Sequence, residues 1–120
     1  MITLTDINAA ATRIAPHIRR TPTIEARALS APLTPAKLSL KLESLQATGS
    51  FKARGATNKL LSLPAEALER GIVTASGGNH GLAVARAAKL AGVTATIYVP
   101  ENITAAKVEK LKRWGATVEI

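Results

Sequence analysis

Apolar residues recur along this chain with two different periods, and the switch between them marks out its elements. From about Thr5, Ile7, Ala10, Ala11, Ile14 and Ile18 fall at helical spacing, with Pro16 placed to end or bend that helix. Pro22, Pro32 and Pro35 punctuate the stretch from Arg20 to Pro35, which predicts loop or extended chain. Lys37 to Leu42 alternates polar and apolar side chains, the period of a strand. A polar loop from Glu43 to Gly49 leads into a helix from about Ser50 to Leu63. Another helix opens after Ser62, with Pro64 in its first turn and Gly71 as its stop.

The remainder is the more regular part. Ile72 to Ala75 predicts a short buried strand, Ser76 to Gly78 a turn, and His80 to Ala91 a helix capped by Gly92. Thr94 to Val99 predicts a second strand, and Pro100 to Asn102 a loop. Thr104 to Trp114 predicts a second helix ended by Gly115, and Ala116 to Ile120 a third strand. A β-α-β-α-β order with short links predicts an α/β fold. Its form is an open parallel sheet with helices on both faces, three layers that these residues leave incomplete. Ending on a strand reads as part of a longer protein.

Composition narrows the class. At 120 residues and 47% hydrophobic content the chain can bury one core, and with one Phe, one Tyr and one Trp that core is aliphatic. Cysteine is absent, so disulfides and thiolate metal sites are excluded and a reducing compartment is allowed. The first residues have neither the basic nor the apolar region of a signal peptide, and no apolar run approaches a membrane span. The expectation is a cytoplasmic protein with no membrane partner. A formal charge of +8 raises nucleic acid as a partner, but the basic residues are scattered except at Lys107, Lys110, Lys112 and Arg113. A solvated helix face accounts for that group, and aromatic residues for base stacking are scarce. No nucleic-acid partner is expected.

Two segments carry chemistry. In Thr48-Gly49-Ser50-Phe51-Lys52-Ala53-Arg54-Gly55-Ala56, a lysine stands just inside a helix start. The positive end of a helix favours a neutral amine there, and a neutral amine is what condenses with an aldehyde. Phe51 beside it can cover an aromatic ring. On these residues alone, an ordinary surface lysine is the simpler account. The second segment, Ser76-Gly77-Gly78-Asn79-His80-Gly81, joins a strand end to a helix start. Its backbone N–H groups suit a carboxylate or phosphate, and its place beyond a parallel strand's carboxyl end is where ligands bind. It is neither a dinucleotide fingerprint nor a P-loop. A glycine-rich helix cap and an anion site both remain open for it, and His80 alone reads as a capping or packing residue.

Together the two segments closely resemble the serine/threonine dehydratase family, fold-type II pyridoxal-phosphate enzymes related to tryptophan synthase β chain and serine racemase. The resemblance runs from Thr21-Pro22-Thr23 through Gly115-Ala116-Thr117-Val118. It implies pyridoxal 5'-phosphate as cofactor, with Lys52 bonded to it and then acting as the base at the substrate's Cα. It implies Phe51 against the pyridine ring, Asn79 on the 3-hydroxyl, and Ser76, Gly77, Gly78 and His80 on the substrate carboxylate. The implied activity is conversion of L-threonine or L-serine to a 2-oxo acid and ammonia, by a homodimer or larger homo-oligomer acting on a small amino acid. Asn79-His80 matches the dehydratases, where cysteine synthases usually have Asn-Thr. Gly77 stands where serine racemases carry a second serine, which puts racemisation in doubt. A serine racemase, a hydroxyaspartate ammonia-lyase and a non-catalytic anion-binding paralogue are the alternatives.

The resemblance places residues 1–47 in the large cofactor domain and 48–120 in most of the small domain. The glycine-rich phosphate loop, the partner of the pyridine nitrogen and any metal site would lie beyond Ile120, so no metal ligand is assigned. Without that loop, these residues alone are expected to be inactive.

Overall fold

The first helix starts where its capping chemistry is complete. The computed structural model describes residues 1–27, 31–32 and 34–120, so part of the proline-punctuated stretch, residues 28–30 and 33, lies outside the described residues. Helix α1 spans Leu4–Ile14, one residue earlier than its periodicity suggests, because Thr3 and Asp6 close a capping box. Thr3 N–H donates to Asp6 Oδ2 at 2.8 Å, and Asp6 N–H donates to Thr3 Oγ1 at 3.3 Å. Pro16 opens a single 3-10 turn, Ala15–His17, that ends the helix.

Strands β1 (Thr23–Glu25) and β2 (Ser39–Lys41) pair antiparallel, with Ile24 opposite Leu40. Two 3-10 turns, Glu43–Leu45 and Ala47–Gly49, occupy the polar loop. Helix α2 spans Lys52–Leu61 and α3 only Ala65–Leu68. Arg13 of α1 donates from Nη1 to Asn58 Oδ1 of α2 at 2.6 Å, joining the amino-terminal helix to α2.

The second half alternates as its sequence predicts. Strand β3 (Ile72–Ala75), helix α4 (Asn79–Ala91), strand β4 (Ala95–Tyr98), helix α5 (Ala105–Arg113) and strand β5 (Thr117–Glu119) follow in order. The strands form a parallel sheet ordered β3-β4-β5. Gly92 ends α4 at φ +70, where its N–H reaches Ala88 and Lys89 carbonyls. Any residue with a Cβ would be strained there.

The two sheet faces differ. Ile72, Ala95, Ile97 and Val118 share one face and pack with Ala83, Val84, Ala87 and Ala88 of α4 and Leu111 of α5. Ile97 is wholly buried. Alanine dominates α4, so its backbone sits close to the sheet. On the opposite face Val73 is 67% exposed and Tyr98 49% exposed. The α/β open sheet is therefore present with its helices on one face within these residues, and β3 is half exposed rather than buried as predicted. The radius of gyration, 17.0 Å, exceeds the roughly 14 Å of a compact domain this long. Trp114, after α5, lies under two cations of α4: Arg86 Cζ and Lys89 Nζ are each 5.8 Å from its ring centre. Among the described residues no helix is long and apolar enough to cross a membrane.

Candidate active site

Lys52 is the first residue of α2, and the chain reaches it through an unusual turn. Thr48 has φ +65 and Gly49 φ +77, two consecutive left-handed residues before extended Ser50. A β-branched residue at positive φ costs about 1–3 kcal/mol and persists only where its surroundings hold it. The hold is Gln46, 2% exposed. Its Oε1 accepts from Arg19 and Ala47 N–H, both at 2.8 Å, and its Nε2 donates to Arg19 O at 2.8 Å. A buried amide with three satisfied bonds fixes this loop against the amino-terminal segment.

Glu43 and Arg54 brace the same loop from its other side. Arg54 Nε donates to Glu43 Oε2 at 2.8 Å and Nη2 to Oε1 at 2.7 Å, while Thr21 Oγ1 donates to Oε1 at 2.5 Å. The guanidinium hydrogen bond lowers the Glu43 carboxyl from 4.5 to about 2, against a smaller opposing effect of burial. Lys41 Nζ donates to Thr21 O beside it.

Lys52 and Phe51 are both exposed, and Lys52 Nζ lies 5.1 Å from the Phe51 ring centre. With His80 they line a cleft of about 490 Å³, walled by Ala56, Leu60, Ile72 and Val84. The turn between β3 and α4 lies at the carboxyl end of the strands, where Ser76 N–H still pairs with Tyr98 O at 3.0 Å. Gly78 is the N-cap of α4 and offers no side-chain cap, leaving first-turn N–H groups open to a ligand. Gly77, Gly78 and Asn79 line a smaller cavity of about 160 Å³ with Thr48, Lys107 and Lys110. Ser76 lines neither space: its Oγ accepts from Gly78 N–H at 3.3 Å. Gly81 lets α4 start this close to the turn, since a Cβ there would lie 1.9 Å from Ser76 O.

The seven residues singled out from sequence thus fall around one loop-and-turn junction. Lys52, Phe51 and His80 share one cleft, Gly77, Gly78 and Asn79 a second cavity, and Ser76 shapes the turn. Thr48 is a lining residue that sequence reasoning missed, although its place before Gly49 is a turn signal.

Known proteins share this fold. A model of the pyridoxal-phosphate dependent enzyme family matches residues 14–120. The chain belongs to that family. It is 48% identical over 118 residues to a catabolic L-threonine dehydratase of Staphylococcus aureus (strain USA300), covering 98% of this chain and 34% of that protein. The serine racemase of Dictyostelium discoideum superposes with a TM-score of 0.89 at 42% identity, covering 98% of this chain and 38% of that one. A threonine deaminase from T.th. superposes with a TM-score of 0.83 at 42% identity, covering 98% of this chain and 36% of that one. The chain spans about a third of the length of these relatives.

The family's cofactor can be tested against the residues present. Thr48 Oγ1 and Ser50 Oγ are buried without hydrogen-bond partners, flanking the approach to Lys52. A Cβ on Gly78 would meet no atom within 4 Å, so space is kept open at the turn. Exposed Lys52 and Phe51 at the cleft edge suit an aldehyde-bearing aromatic ring. These features fit pyridoxal phosphate.

Proposed function

We propose that the protein containing these residues eliminates water from L-threonine or L-serine, leaving an enamine that takes water back on hydrolysis to give a 2-oxo acid and ammonia. One observation carries the reading: the lysine heading α2 and the two-glycine turn heading α4 border two cavities lined by the consecutive residues His80 and Asn79, in a chain 48% identical to an L-threonine dehydratase. Pyridoxal phosphate, when bound, supplies an aldehyde and an electron-withdrawing ring that stabilises charge at the substrate's Cα. Lys52 would be the residue that holds the cofactor's aldehyde carbon, and its Nζ, once free, would accept the substrate's Cα proton. Phe51 would cover one face of the ring and exclude water, and Asn79 would hydrogen-bond the 3-hydroxyl. Gly77 and Gly78 N–H, Ser76 Oγ and His80 hold the carboxylate, which fixes the Cα–H bond toward Nζ. For that role Ser76 Oγ turns from Gly78 N–H to the ligand.

Gly77 has no side-chain proton to deliver from the opposite side, which favours elimination over inversion. The domain division at residues 47/48, a homodimer or larger homo-oligomer, and a cytoplasmic location are parts of the same proposal. The absence of cysteine supports the last. The test is the visible absorbance of lysine-linked pyridoxal phosphate in the full-length protein, with 2-oxo acid formation from L-threonine. The band and the turnover are expected in the wild type and absent in Lys52→Ala. A band that persists in Lys52→Ala sinks the assignment, and inversion without 2-oxo acid would favour a racemase.

A further inference from the structure

Gly77 and Gly78 are neighbours in one turn, yet the space beside them differs. A Cβ on Gly78 would have no heavy atom within 4 Å. A Cβ on Gly77 would lie 2.7 Å from Ile103 Cδ1, 3.5 Å from Ile103 Cγ1 and 3.7 Å from Pro100 Cδ. Ile103 stands between β4 and α5, is half-buried, and packs against the apolar core. Its N–H donates to Pro100 O at 3.0 Å, which fixes the loop that carries it. The Cδ1 methyl of Ile103 therefore stands where a Cβ at position 77 would go, and must turn aside before a side chain can enter.

We propose that Ile103 is a positioning residue for the carboxylate turn and forms a size-exchange pair with Gly77, so that a side chain enters at 77 freely only where 103 is cut down. Packed interiors respond to changes of a single methyl group, and compensating changes in contact are non-additive. With Ile103 in its present rotamer, the turn meets a ligand with backbone N–H groups, and a protic side chain at 77 would have to displace the Cδ1 methyl. Position 103 thereby controls which chemistry the turn can acquire. The ligand's identity as a substrate carboxylate rests on the proposed function; the steric pair does not.

The experiment is a double-mutant cycle in the full-length protein: Gly77→Ala, Ile103→Ala and both together. Thermal unfolding is followed without added cofactor. Each single change should lower the midpoint, and the double variant should lie at least about 2 °C above the additive expectation. Additive shifts overturn the pair. With pyridoxal phosphate bound, Ile103→Ala should raise KM for L-threonine about tenfold, with kcat altered less than about threefold. Gly77→Ala in that background should recover part of the lost affinity, and the milder Ile103→Val should raise KM less than Ile103→Ala. An unchanged KM in Ile103→Ala, or one that Gly77→Ala does not lower, overturns the positioning role even if stabilities couple. If no protein turns over L-threonine, the functional reading fails and the unfolding cycle still decides the pair. Should Ile103→Ala not fold, the same cycle run with Ile103→Val decides it.

Discussion

Arg54 grips Glu43 with two parallel hydrogen bonds, 2.8 and 2.7 Å long, two residues beyond Lys52 in the same helix. This fork joins α2 to the loop that delivers Lys52. It holds the Glu43 carboxyl at about 2, below its ordinary 4.5. A carboxyl lowered on folding stabilises the fold above its unfolded value and loses that contribution as pH falls through its folded one. Wild-type protein should therefore be more stable than Glu43→Gln near neutral pH, with the advantage declining between about pH 4.5 and 2. Unfolding midpoints of both proteins across that range check it; a pH-independent difference contradicts it.

Lys52 is exposed, so its loss should affect chemistry and leave the fold intact. In Lys52→Arg, the always-charged guanidinium cannot condense with an aldehyde. Turnover should fall by at least about a hundredfold, while stability changes by no more than about 0.5 kcal/mol. Steady-state kinetics and urea unfolding on the same preparation separate the two effects.

The glycines of the turn predict opposite outcomes. Gly81→Ala forces a Cβ to 1.9 Å from the Ser76 carbonyl, a backbone atom that cannot rotate away. It should cost about 1–3 kcal/mol and shift α4 off the turn. Gly78→Ala meets nothing within 4 Å and should fold normally. Its methyl enters the open space at the turn, so the expected defect is a raised KM. Urea unfolding and kinetics on the two variants test the contrast.

Gln46 offers a test of the loop itself. Gln46→Leu removes three hydrogen bonds and strands the N–H and carbonyl of Arg19. A loss of about 2–4 kcal/mol is expected. Gln46→Glu keeps both acceptor bonds and should lose less, measured by urea unfolding at neutral pH.

Periodicity makes the β-α-β-α-β half legible because apolar residues there repeat cleanly between Gly71, Gly92 and Gly115, each left-handed at a helix end or turn. It fails where burial does not pattern the chain. Strand β1 is only Thr23–Glu25, with one apolar residue, too short for a period to show. The apolar neighbours of Val73 predict that it is buried, but its side chain points to the uncovered face. At the site, Lys52 and the two-glycine turn are visible as local motifs. Gln46 and the Glu43–Arg54 fork are not, since their partners are 27 and 11 residues away. Ile103 lies 26 positions beyond Gly77, and nothing in the order of residues announces that its side chain stands over that glycine.

Trp114, pressed beneath Arg86 and Lys89, is the one tryptophan of these 120 residues. Its indole emission is a label-free gauge of how α5 sits on α4. Because α5 follows the loop that carries Ile103, a ligand that resettles the two-glycine turn has a direct optical readout. The spectrum would register that movement even in a variant whose chemistry has been abolished.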